Sequence, residues 1–315
     1  MSGLLVERTL GLAQLQDRGR FGVRHIGVTQ GGALDWVAAG WANRLLGNKP
    51  DCAVLEIPMG GLILRCEQDT TLALTGADLA ATLDDSPIAP WCSFVVRQGE
   101  QLALHAPRSG VRGYLAAPDG FAAPLILGSR ATVVRENLGG LTGDGQPLRR
   151  GDRLAFGNRR PMTLAVPPGF ITDYSTPALL SMLPGSRLAD FAGRSLFKAF
   201  NRPWQVDYRT DRMGIRLAGP VLQYRGSGVI SEGIPLGAIQ VPPDGQPIVL
   251  MNDRQTIGGY PYLGSLTPLA VARLAQCNTG QQVRLHLVGT ERARQVHIKA
   301  HKELSSIPLL PIGCE

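Results

Sequence analysis

The chain has 315 residues, 44% of them hydrophobic and 18% charged, which is enough for one large core or two ordinary ones, and two are expected. Its 39 glycines and 23 prolines exclude a helical bundle and, with no G-X-Y period, indicate many short strands joined by turns. The formal charge of +7 is scattered and aromatic content is only 6%, so no basic stripe interleaved with aromatics is present to grip nucleic acid.

In chain order, 4–20 reads as a strand followed by a polar turn, "LQDRGRFGVRHIG", whose closely spaced glycines allow tight backbone geometry. The stretch "GALDWVAAGWANRLLGN" predicts the clear helix of the first half. Asp35 stands near its N-terminus, Val37, Trp41 and Leu45 share a face at i, i+4 and i+8, and Gly47 and Asn48 supply the stop. That face needs a sheet to cover it. The runs "AVLEIPMGGLILRC", "TTLALTG", "LAATLD", "WCSFVVRQGEQLALHA" and "VRGYLAA" are short β-type segments, a spacing that predicts an antiparallel barrel or sandwich and not βαβ units. After "DRLAFG" comes "NRRP", a polar, proline-ended joint that divides the chain into a first half, 1–158, and a second half, 159–299. Residues 300–315 read as a loosely held tail. The second half predicts a helix at "SLFKAF" and a further barrel-like series of strands. Within it, "NDRQTIGGYPYLGSL" connects a buried strand, "QPIVLM", to a helix, "LAVARLAQ", and connections of that composition are where sites tend to sit. The fold class expected is mainly β with a few helices.

Common motifs exclude several chemistries. The chain has no GxxxxGK[ST] phosphate loop and no GxGxxG dinucleotide fingerprint. Ser195 to Lys198, "SLFK", matches SxxK, but the S-D-N and K-T-G elements that make it a nucleophile motif are missing. His297 and His301 could share a helix face, yet no third metal ligand stands near them in sequence, and no metal is expected. His25, His105 and His286 are isolated, which gives a Ser-His-Asp triad no support. Cys52, Cys66, Cys92, Cys277 and Cys314 form no CxxC pair, which suits a reducing cytoplasm. The N-terminal apolar patch is interrupted by Glu7 and Arg8, and nowhere do 18 apolar residues run together, so neither a signal peptide nor a membrane helix is expected.

What remains are clusters of acid, arginine, amide and glycine. They are Gln16-Asp17-Arg18-Gly19-Arg20 with Gly32 to Asp35 in the first half, and Asp211-Arg212-Met213-Gly214, Ser231-Glu232-Gly233, Gln240 and the 252–266 connection in the second. Each alone can be a turn whose Asp or Asn bonds its own backbone while an Arg pairs with it. Together they can form a site, with backbone N–H groups approaching a planar polar ligand and carboxylates placed to move protons.

The blocks "QDRGRFGVRHIGVTQGGALDWVAAGWANRLLGN", "LTGADLAATLDD", "YLAAPDG", "RTDRMGIRLAG", "SEGIPLGAIQVPPDGQPIVLMNDRQTIGGYP" and "LAQCNTGQQVRL" resemble, in order, the biotin-dependent carboxyltransferase-type family. That family includes the C component of the prokaryotic 5-oxoprolinase, KipA and the AHS2 region of urea carboxylase. The resemblance implies two cyclophilin-like β-barrel halves. It also implies two partners, one resembling KipI and one of the LamB/YcsF type, with which ATP would drive the opening of 5-oxo-L-proline to L-glutamate. Two alternatives stay open. One is a carboxyltransferase component acting on urea or a related amide, with biotin brought by another protein because no Met-Lys-Met acceptor is present here. The other is a KipA-type regulator that binds a KipI-like kinase inhibitor.

Carried over by position, the resemblance implies catalytic roles for Asp253, Glu232, Arg212 and Asp211, with Asp253 or Glu232 as proton acceptor. Gln240, Asn252, Gln255, Thr256, Gly258, Gly259 and Tyr260 would bind the substrate. The first-half cluster, Asp17, Arg18, Asp35 and Asn43, with Asn48, would brace its own half or face the partner. Tyr262 follows "GGYP" where a basic residue is common in the family.

Overall fold

Alternation decides which side chains the strands bury. In Gly3–Arg8, Leu4 and Val6 are buried while Leu5 and Glu7 are only half-buried, the period of two that covers one sheet face. The computed structural model describes residues 3–312, and these fall into two units. The first is made of 1–21, 31–173 and 303–315, the second of 22–30 and 174–302.

In the first unit a six-stranded sheet and a seven-stranded sheet share one apolar core, with Leu4, Leu64 and Leu102 from the first sheet meeting Leu55, Leu72 and Leu115 from the second. A helix, α1 (Trp36–Leu45), packs on the long strands Thr70–Asp78 and Ser109–Ala116. Asp35 caps it as expected, its Oδ1 accepting from Ala38 N at 3.0 Å. Gly47, at φ +64°, turns the chain out of it. The buried stripe is Ala38, Trp41, Ala42 and Leu45, and Val37 is only half-buried.

The second unit contains a closed barrel of seven strands. Closure comes from Ala178–Pro184, which pairs parallel with Gln282–Leu287 and antiparallel with Tyr262–Leu266. Leu180, Val206, Ile215, Ile239, Val249 and Leu285 are buried along its strands. The fold is therefore mainly β with few helices, as expected. The closed barrel is seen in the second unit, while the first unit's strands form the two core-sharing sheets. The helix α2 (Gly193–Asn201) covers the "SLFKAF" segment, and α3 (Pro268–Leu274) follows the 252–266 connection, capped by Thr267 Oγ1.

Three features differ from the boundaries expected at 158 and 299. The change of unit falls at 173/174, and residues 22–30, from the N-terminal polar turn, belong to the second unit. The chain after 300 is not a loose tail. A helix, α4 (Thr290–Ser306), runs through it, and Leu310–Pro311 pairs with Leu164–Ala165 as a strand of the first unit. Arg44 fixes the end of α4, donating to the carbonyls of Leu304 and Ile307 and to that of Glu303, which Ile307 N also reaches at 3.1 Å. Cys314 lies outside the described residues.

Candidate active site

The 252–266 connection is held by charge. Arg212 donates to both oxygens of Asp253, Nε to Oδ2 at 2.9 Å and Nη2 to Oδ1 at 3.0 Å, and Asp253 N donates to Arg212 O at 2.9 Å. The two side chains are 12% and 7% exposed, so this two-pronged pair lies where water screens it little. Its neighbours Asn252 and Arg254 are buried as well.

A two-stranded ribbon brings the next part of the connection against the 231–236 loop, with Glu232 opposite Gly258 and Gly233 opposite Ile257. Gly258 leaves space here for the ends of two side chains. A Cβ on it would stand 2.8 Å from Gln240 Nε2 and 2.5 Å from Ile234 Cδ1, so the buried Gln240 amide lies directly against this backbone. A Cβ on Gly259 would stand 3.2 Å from Ser231 Oγ. Glu232 and Tyr260 are exposed, and Gln255 and Thr256 are half-buried. The structure thus places Asn252, Asp253, Gln255, Thr256, Gly258, Gly259 and Tyr260 on the 252–266 connection, with Arg212 reaching it from the turn before Gly214, Glu232 from the 231–236 loop and Gln240 from the strand Ala238–Gln240.

Asp211 does not join them. Its Oδ1 accepts from Met213 N at 2.8 Å and Gly214 N at 2.9 Å, which closes the turn between Trp204–Thr210 and Gly214–Ala218. One oxygen of its carboxylate is thus used by its own hairpin. Ser195 is likewise structural, its hydroxyl donating to Ala192 O at 2.8 Å. The rings of His297 and His301 sit 4.5 Å apart on α4, and no cluster of three or more metal-ligating residues occurs among the described residues.

The first-half cluster forms hydrogen bonds within its own unit. Asp17 accepts from Gly19 N, Ser129 Oγ and Arg130 N at 2.6–2.8 Å. Asn43 donates to Cys52 O at 2.9 Å, and Asn48 donates to Asn43 Oδ1. Arg18 is exposed. Glu56 accepts from Tyr114 OH and Leu34 N, and Tyr114 OH accepts from Asp35 N.

Arg24, Thr29 and Arg254 were not among the expected site residues. Arg24 Nη2 donates to Ile234 O at 2.6 Å and Thr256 O at 3.2 Å, and Arg254 Nε donates to the same Ile234 O at 3.2 Å. Arg254 Nη1 reaches Met251 O at 3.2 Å, and Thr29 Oγ1 donates to Arg254 O at 3.4 Å. Two guanidinium groups therefore share one carbonyl. Burial and then the charge of Arg24 pull the pKa of Arg254 down to about 9. Arg24 Nη1 is buried with no hydrogen-bond partner. Such a corner favours an incoming anion. The clue available in sequence is the density of arginines in "QDRGRFGVRHIG", but nothing there says that its second part joins the other unit.

A family model for the carboxyltransferase domain, subdomain A and B, matches residues 26–287. The chain belongs to that family. Among its relatives, the C subunit of the Haemophilus influenzae 5-oxoprolinase is 33% identical over 298 residues, covering 94% of each chain. The C subunit of the Escherichia coli 5-oxoprolinase is 36% identical over 280 residues, covering 89% of each. Among solved structures, the Kluyveromyces lactis urea carboxylase matches with a TM-score of 0.90 at 26% identity, over 96% of this chain and 29% of that one. The chain therefore spans less than a third of the urea carboxylase it resembles, and nearly the whole length of both 5-oxoprolinase relatives.

Proposed function

We propose that this chain is the C subunit of an ATP-dependent 5-oxoprolinase, opening 5-oxo-L-proline to L-glutamate together with a KipI-like partner and a LamB/YcsF-type partner. The observation that carries the reading is the match along nearly the full length of two 5-oxoprolinase C subunits, at 33% and 36% identity. Adding water across a lactam breaks the ring C–N bond. It needs donors for the oxyanion that develops on the carbonyl and a group that delivers a proton to the leaving nitrogen.

The substrate's carboxylate suits the corner made by Arg24 and Arg254, where Arg24 Nη1 gains an acceptor and the mutual repulsion of the two cations is relieved. Gln240, Asn252, Gln255 and Thr256 offer amide and hydroxyl groups to the lactam N–H and C=O, Gly258 and Gly259 let the backbone approach, and the exposed Tyr260 follows them. Glu232, exposed beside Gly258, is the proton carrier. Asp253 is tied to Arg212 and keeps the loop in shape. ATP acts at the level of the complex. This chain lacks a phosphate loop, and its own residues serve to bind the lactam, orient it and carry the proton. Cys52, Cys66, Cys92 and Cys277 are free thiols, which fits a cytoplasmic setting.

The test is reconstitution of the three proteins with 5-oxo-L-proline and ATP, measuring glutamate. Omitting this chain should abolish turnover, and an unchanged rate overturns the assignment. Arg24→Gln should raise KM for 5-oxo-L-proline by about tenfold or more, the worth of one charge-assisted hydrogen bond. A second reading, a carboxyltransferase component acting on a urea-like amide with biotin carried in trans, is favoured by the family's description and by the likeness to urea carboxylase. Avidin separates the two, since it should block the carboxyltransferase and leave the lactam-opening complex active.

A further inference from the structure

Away from these loops, the second unit holds a groove of about 430 Å³ between the outer wall of its barrel and one face of α4. Along Ala178–Pro184, Leu180 and Met182 are buried in the barrel, so the alternate residues Leu179 and Ser181 face outward and line the groove. Across from them stand Arg292, Val296 and His297, neighbours on one side of α4. None of the residues assigned above to lactam opening lines it.

The charged groups of the lining are all of one kind. Arg273 comes from α3 and Arg292 from α4, with His286 and His297 beside them, and no Asp or Glu is among the lining residues. Arg273 is held in place: its Nη2 donates to Thr176 O and its guanidinium lies 5.5 Å from the centre of the Tyr174 ring. Its other terminal nitrogen, Nη1, is buried with no hydrogen-bond partner. A fixed guanidinium with a buried N–H lacking an acceptor, in one groove with a second arginine and apolar walls, has the composition of a site for an anion with a hydrocarbon body.

We propose that this groove binds a small carboxylate with an apolar body, its carboxylate held by Arg273 and Arg292 and its hydrocarbon part packed against Leu179 and Val296. The volume falls within the roughly 300–1,000 Å³ typical of small-molecule pockets. The site is separate from the lactam-opening residues and does not depend on that reading.

The experiment titrates the full chain with benzoate, and with benzamide as its uncharged counterpart, following the ring resonances of His286 and His297 and the melting temperature. Benzoate should shift both rings and raise Tm, while benzamide at equal concentration should do neither. Arg273→Gln and Arg292→Gln should each weaken benzoate binding by about tenfold or more, the scale of one lost charge-assisted contact. Arg292 is exposed, so its variant decides the matter even if Arg273→Gln folds poorly. Equal binding of benzamide, no response to benzoate, or benzoate affinity unchanged in Arg292→Gln overturns the proposal. So does loss of benzoate binding in Arg24→Gln with Arg292→Gln unaffected.

Discussion

Asp17 and Asp253 each answer to several donors, and their substitution reads out folding before it reads out chemistry. Asp17→Asn keeps the shape but turns one acceptor into a donor facing donors. It should lower stability by about 1–3 kcal/mol, measured by urea unfolding. Asp253→Asn leaves the half-buried Arg212 facing a neutral amide and should cost up to about 3–5 kcal/mol, so an isosteric amide is not a mild change here. The double variant Arg212→Gln/Asp253→Asn should recover part of that loss. If the single variant is as stable as the parent, the pair is not what holds the loop. Tyr114 makes a pH prediction. Burial, then the Glu56 charge, push its phenol well above the ordinary 10.0, so the folded state keeps the proton that the unfolded state releases. Its contribution is intact below pH 10 and declines as pH rises past that value. In Tyr114→Phe the alkaline fall in stability should be shallower.

At the scale of elements, most of what the sequence signals concerns local order. Asp35 before an apolar stripe and Gly47 after it mark α1, and Asp35→Ala should lower stability by about 1 kcal/mol, with Asp35→Ser restoring most of it. The period-two runs mark the strands. The 252–266 connection stands out because it is both polar and glycine-rich, yet its residues are sorted only by neighbours distant in sequence. Asp211 binds its own turn, whereas Asp253 is met by an arginine 41 positions away. Gly258 shows the same limit. In sequence it suggests freedom for a tight loop, and in the structure it is room for the Gln240 amide. Gly258→Ala should displace that flexible side chain, raising KM with little change in Tm. The end of α4 reads as a tail because no residue of the helix is buried. Arg44 supplies the missing stop from another helix, and Arg44→Gln should speed hydrogen exchange at 303–307 while leaving the strands protected.

For the whole molecule, a mainly β chain with two units is legible from composition and turn spacing, but the path between the units is not. The joint "NRRP" is polar and proline-ended, and the change of unit still falls at 173/174. Composition registers where a chain can bend and is blind to a nine-residue loan from one unit to the other. Residues 22–30 bring Arg24 and Thr29 to the loops of the second unit. A fragment limited to 159–299 should therefore bind 5-oxo-L-proline no better than full-length Arg24→Gln, measured by calorimetry. Tight binding by the fragment would remove Arg24 from the site.

That loan also has a cost in time. During synthesis, residues 22–30 leave the ribosome roughly 140 residues ahead of the segment that opens their host unit at 174. At about 5–20 residues per second, on the order of 7–30 s pass before even the first residue of that unit follows, and longer before the loops that hold Arg24 and Thr29 exist. Through that interval Val23 and Val28, half-buried once the unit has folded, belong to a nascent chain with no place yet to put them.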